Sequence, residues 1–198
     1  HNPPNDNGYK VYLGGNAVEE HASGAQIVPP FDGEIAGHIS RISDSTITLA
    51  KSGWDILPET VADDYTSRIG ELTDQTERNL SIVYTPMHGV GGKTMLEVLN
   101  NAGFETVAPV EEQFAPDPTF PTVSFPNPEE PGALDLAFAL AQERDADLII
   151  ANDPDADRAA FAVYDPAVSA WRQLRGDEIG SLLGVAMIQR LGDISALN

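Results

Sequence analysis

Asp153-Pro154-Asp155-Ala156-Asp157-Arg158 follows the apolar run Leu148-Ile149-Ile150-Ala151 and precedes a second one, Ala159 to Tyr164, so the stretch reads as strand, acidic loop, strand. Pro154 fixes its own φ and has no N–H, which favours a turn over a continuing ladder. Three carboxylates at alternate positions then converge, and convergent carboxylates repel unless a cation sits among them. Oxygen-only ligands select a hard ion, Mg2+ or Ca2+, and Mg2+ keeps positions for water or a phosphate oxygen. The alternative is a solvated acidic turn.

Working outward, Leu80 to Thr85 reads as a strand, Met87-His88-Gly89-Val90-Gly91-Gly92 as a glycine-rich turn, and Lys93 to Asn101 as a helix that Gly103 ends. Strand, turn and helix N-terminus together make a candidate anion site; the other reading is that the glycines serve only a tight crossover. The turn is neither a Walker loop nor a full dinucleotide fingerprint, since Met87 and Thr94 stand where glycines would be required. Phe104 to Val110 predicts another strand. The six prolines between Phe114 and Pro131 predict a long ordered loop, and Gly132 to Arg144 a helix. Helices alternating with short apolar strands imply an α/β fold, a mixed or parallel sheet sandwiched by helices. Ligands of such sheets bind beyond the carboxyl ends of the strands, where both the glycine-rich turn and the acidic loop fall.

Toward the ends the pattern is weaker. Residues 1–8 are turn formers, Tyr9 to Leu13 alternates like a strand, a helix is expected around Gln26 to Ile42, and Ser45 to Leu49 is rich in β-branched residues. Val61, Tyr65, Ile69 and Leu72 share a helix face, and the polar break at 74–79 marks a domain boundary. After a short stretch around Trp171 to Leu174, a final helix is expected with Asp177 as its N-cap and Ile179, Leu182, Leu183, Ala186 and Met187 on its apolar face.

The 198 residues hold 31 acidic against 11 basic side chains, a formal charge of −20, and no cysteine. Such a field repels nucleic acid and anionic membranes, and it opposes a phosphorylated substrate unless local cations offset it. No apolar run nears the roughly 20 residues that span a bilayer, and nothing resembles a signal peptide. A cytoplasmic protein with no nucleic-acid or membrane partner is the expectation. Oligomeric state is not legible.

Four segments together resemble the α-D-phosphohexomutases, the phosphoglucomutases and phosphomannomutases. They are His1-Asn2-Pro3-Pro4 with Asn7-Gly8-Tyr9-Lys10, then Thr85-Pro86-Met87-His88-Gly89-Val90-Gly91, then Phe125-Pro126-Asn127-Pro128-Glu129-Glu130-Pro131-Gly132, and finally the acidic loop. The asparagine-proline-glutamate-glutamate segment is most similar to the phosphoglucomutase-like branch. The resemblance implies an internal fragment of a four-domain enzyme: residues 1–76 as the end of domain I, 77–175 as domain II with the metal loop, and 176–198 as the start of domain III. It also implies Asp153, Asp155 and Asp157 as Mg2+ ligands, with Asp157, Arg158 and His88 toward the sugar phosphate. Lys10 is implied as general acid or base, with His1 and Asn2 bordering the catalytic loop.

The chemistry implied is the interconversion of hexose 1-phosphate and hexose 6-phosphate, glucose above all, through a phosphoserine and a hexose 1,6-bisphosphate. The phosphorylated serine is expected just ahead of His1, so the fragment alone is expected to be inactive. Two other readings stand beside this one. A haloacid-dehalogenase-type phosphatase would use Asp153 as nucleophile, but Asp157 stands where its pattern has Thr or Val; a non-catalytic metal-binding module is the other. A calcium loop of the EF-hand type fails, because Arg158 and Tyr164 occupy the positions of its Gly and Glu.

Overall fold

The computed structural model describes residues 10–15, 18–42, 47–72 and 77–191, and the chain divides into a smaller unit ending at Leu57 and a larger one from Pro58 onward. In the smaller unit the backbone of Val11 and Leu13 pairs with Ala25 and Ile27 around a single bridge, Tyr12 to Gln26, rather than forming the extended strand expected of Tyr9 to Leu13. Its described residues also include a short 3-10 turn, Glu20–Ala22, and helix α1, Phe31–Ile39. The helix is shorter than the expected 26–42, because Pro29 and Pro30 supply no N–H to an earlier turn. Ile47 to Ala50 form no strand, and Ser45 and Thr46 lie outside the described residues.

The larger unit begins with α2, Thr60–Gly70. It turns Thr66, not its apolar line, onto the next helix: the buried Thr66 hydroxyl reaches Glu97 Oε1 at 3.2 Å, while Val61, Tyr65 and Leu72 stay exposed. The break expected at 74–79 falls partly on residues 73–76, which lie outside those described. Strand β1, Ser81–Thr85, then leads into α3, Gly92–Asn101, and β2, Thr106–Pro109. Gly103 ends α3 with a positive φ, and Phe104 N–H reaches back to the Leu99 carbonyl. The short α4, Glu111–Phe114, the proline-rich loop, and α5, Asp135–Arg144, lead to β3, Leu148–Asn152, β4, Ala159–Asp165, β5, Ala170–Gln173, and α6, Gly176–Leu191.

The five strands form one sheet in the order β2-β1-β3-β4-β5. Strands β2, β1 and β3 are parallel, and β4 and β5 are antiparallel additions. The direction reverses at the acidic loop because a connection from 153 to 158 is too short for a parallel crossover. Alternation along the strands fills both faces. Val83 and Ile149 pack with Ala137 and Ala141 of α5, where small side chains admit a close approach; Ile82, Tyr84 and Ile150 pack with Leu99 and Met95 of α3.

Helix α6 starts one residue before the expected cap. Ile179 N–H bonds to the Arg175 carbonyl, and Glu178 in the first turn accepts the Arg175 N–H at 2.8 Å, so Arg175 takes the capping position and Asp177 lies inside the helix. Its Leu182, Leu183 and Met187 are exposed. Among the described residues no helix is long and apolar enough to cross a membrane.

Candidate active site

The acidic loop hangs between β3 and β4, whose backbones face each other at Asn152 and Ala159. Inside it, Ala156 takes a left-handed φ of 57° and its N–H bonds to the Asp153 carbonyl at 2.9 Å, which curls the chain so that alternate side chains meet. Carboxylate oxygens of Asp153, Asp155 and Asp157 all come within 4.8 Å of one another, the first fully buried and the other two exposed. Arg158 holds Asp153 from both sides, its backbone N–H on Oδ1 at 3.0 Å and its guanidinium on Oδ2 at 2.9–3.0 Å. The guanidinium also lies 3.7 Å from Asp157 Oδ1 and 3.5 Å from Asn127 Oδ1 of the proline-rich loop.

The glycine-rich turn after β1 locks against this loop. Val90 N–H donates to the Pro154 carbonyl at 2.9 Å, and a Cβ on Gly89 would come within 2.3 Å of Pro154 Cα. Gly92 likewise admits the Phe114 ring at the start of α3. The turn is held by a buried polar set: Met87 and His88, both at positive φ, bond through their N–H groups to Thr85 Oγ1 and the Gln113 carbonyl. His88 Nε2 lies 2.8 Å from Thr122 Oγ1, which also accepts from Gln113 Nε2, and Gln113 Oε1 accepts from the Thr85 hydroxyl. Among the described residues no buried side-chain nitrogen or oxygen lacks a partner.

Electrostatically the loop is built around a cost. Burial pushes the Asp153 carboxyl above its ordinary 3.8, and the hydrogen bond with Asp155 adds to the push, while the N–H groups and charge of Arg158 oppose it. A hard divalent cation, whose oxygens stand at about 2.1–2.5 Å, matches this oxygen-only set and relieves the repulsion. Desolvation also raises the Tyr84 hydroxyl, which remains a donor to Asn152 Oδ1 at 3.1 Å.

Of the residues read from sequence, Asp153, Asp155, Asp157 and Arg158 are brought together. His88 is buried in the base of the glycine-rich turn, and Lys10 is an exposed residue of the smaller unit. His1 and Asn2 lie outside the described residues. Sequence reasoning missed Asn152, Tyr84, Asn127, Gln113 and Thr122. Two carried a local signal: Asn127, inside a segment quoted for the family resemblance though not as a site residue, and Asn152, a polar residue closing an apolar strand directly before the first aspartate.

Residues 63–165, just over half of the chain, match the model of the phosphoglucomutase/phosphomannomutase alpha/beta/alpha domain II. The chain is 46% identical over 186 residues to a probable phosphomannomutase of Haemophilus influenzae, covering 93% of this chain and 37% of that protein. It is 37% identical over 226 residues to the phosphoribomutase of Saccharomyces cerevisiae, covering 96% and 33%, and 36% identical over 192 residues to the phosphoglucomutase of Staphylococcus haemolyticus, covering 92% and 33%. The chain thus spans about a third of the length of these curated relatives. A crystal structure of a phosphoglucomutase/phosphomannomutase family protein from Burkholderia thailandensis superposes with a TM-score of 0.60 at 24% identity, over 80% of this chain and 32% of that one. By the residues that match, the chain belongs to the phosphoglucomutase/phosphomannomutase family.

Proposed function

We propose that this chain carries the cation-binding segment of a Mg2+-dependent phosphohexomutase, which moves a phosphoryl group between the 1- and 6-positions of a hexose, glucose first among them. The observation that carries the reading is the convergence of three carboxylates and one guanidinium at the carboxyl end of the parallel strands, pressed against the glycine-rich turn. Asp153, Asp155 and Asp157 would hold the metal, which supplies charge neutralisation for phosphoryl transfer.

Other residues of the chain would contribute beside the metal. Arg158, half exposed and steadied by Asp153, brings to the loop a fixed positive charge of the kind that attracts a phosphate. Lys10 would hold and return the hydroxyl proton, and His1 and Asn2 would border the phosphoserine loop that the resemblance implies. His88 enters through the turn it holds. A haloacid-dehalogenase-type nucleophile at Asp153 is disfavoured, because that carboxylate is fully buried and both its oxygens accept from Arg158.

The relatives named phosphoribomutase and phosphopentomutase support a second reading, a pentose phosphate as substrate. A coupled assay of the full protein on glucose 1-phosphate, mannose 1-phosphate and ribose 1-phosphate, with and without chelator, decides among them. Asp155→Ala should weaken Mg2+ binding at least about tenfold and remove the turnover that chelation removes. Turnover indifferent to both would overturn the metal reading.

A further inference from the structure

We infer that Asn152 and Tyr84 are a positioning pair that sets the shape of the 153–158 loop, and through it the affinity of the three carboxylates for a divalent cation. The second half rests on the metal reading above. Asn152 is the last residue of β3, facing Ala159 at the root of the hairpin, and it is 5% exposed. Its Nδ2 reaches across the neck of the loop and donates to the Arg158 carbonyl at 2.8 Å. Arg158 is the residue whose N–H and guanidinium hold Asp153, so the neck and the first carboxylate are tied through one residue.

The other end of the amide is fixed from β1, where the buried Tyr84 hydroxyl donates to Asn152 Oδ1 at 3.1 Å. A flipped amide would set its oxygen against the Arg158 carbonyl, acceptor against acceptor, so that carbonyl fixes which end of the amide faces β1, and the Tyr84 hydroxyl pins the oxygen end by donating to it. Both partners lie against the glycine-rich turn: a Cβ on Gly91 would stand 3.4 Å from the Tyr84 hydroxyl, 3.8 Å from Asn152 Oδ1 and 3.0 Å from Ala156 Cβ. Partners that orient metal-binding side chains change affinity about 10–100-fold when lost.

The test compares the parent chain with Asn152→Ala, Tyr84→Phe and the double variant. Calorimetric titration with Mg2+ and Mn2+ reads affinity, and amide hydrogen exchange without metal reads the loop. Asn152→Ala should weaken binding about tenfold or more and Tyr84→Phe less. The double variant should bind no worse than Asn152→Ala, since Tyr84 acts through the amide. Exchange should quicken at the Ala156 and Arg158 amides and hold at Val83 and Ile149. Tyr84→Phe keeps its ring in the core and carries the test if Asn152→Ala does not fold. Affinity and loop exchange unchanged in folded variants, or additive losses in the double variant, would overturn the pairing. A parent that binds neither ion sinks the metal reading and the affinity half together, and loop exchange then upholds or overturns the positioning by itself.

Discussion

Asp153 holds a carboxylate where no water reaches it, and its raised pKa has a thermodynamic signature. Above its ordinary 3.8 the folded state keeps a proton that the unfolded chain has released, so this residue's stabilising contribution declines as pH rises from there through its folded pKa, then levels off. Urea unfolding without metal should therefore show the parent losing stability relative to Asp153→Asn across that window and running parallel above it. With Mg2+ added the trend should reverse, because the cation binds the ionised form. A parent-to-variant difference constant with pH would contradict the raised pKa. The three aspartates were legible in sequence because the loop brings them together over a few residues. Tyr84 and Asn152 were not, since 68 positions separate them and only pairing of β1 beside β3 makes them neighbours.

At the scale of elements, the turn after β1 and the loop after β3 mesh with no spare volume. Gly89→Ala would drive a methyl into the Pro154 backbone, which cannot swing aside as a flexible side chain would. The expected loss is about 1–3 kcal/mol, read by chemical unfolding, with weaker Mg2+ binding alongside. Gly91→Ala, whose new methyl would meet Ala156 Cβ at 3.0 Å, should cost less. Equal stability of Gly89→Ala and the parent would mean the two loops slide freely. The strand, turn and helix order was readable from apolar runs broken by glycine and proline. The face of α2 was not, because its buried contact is a threonine hydroxyl on Glu97, a polar pairing that leaves no mark in hydrophobic periodicity. The reversal at β4 was open to inference from loop length, whereas helix–strand alternation favoured parallel strands.

For the whole molecule the formal charge of −20 dominates. Self-repulsion opposes compactness, and raising KCl from about 10 mM to about 1 M contracts the screening length from about 30 to about 3 Å. The thermal midpoint should rise across that range, and a flat or falling midpoint would show that the acidic side chains are spaced widely enough not to matter. The hold of Val90 on Pro154 reaches further, into biosynthesis. Gly89 and Val90 leave the ribosome well before Pro154 exists, so the first wall of the proposed cation site waits, glycine bare, for the second. A nascent chain would therefore complete the site only once β3 has docked beside β1, and an ion held by the three carboxylates as proposed would report that moment.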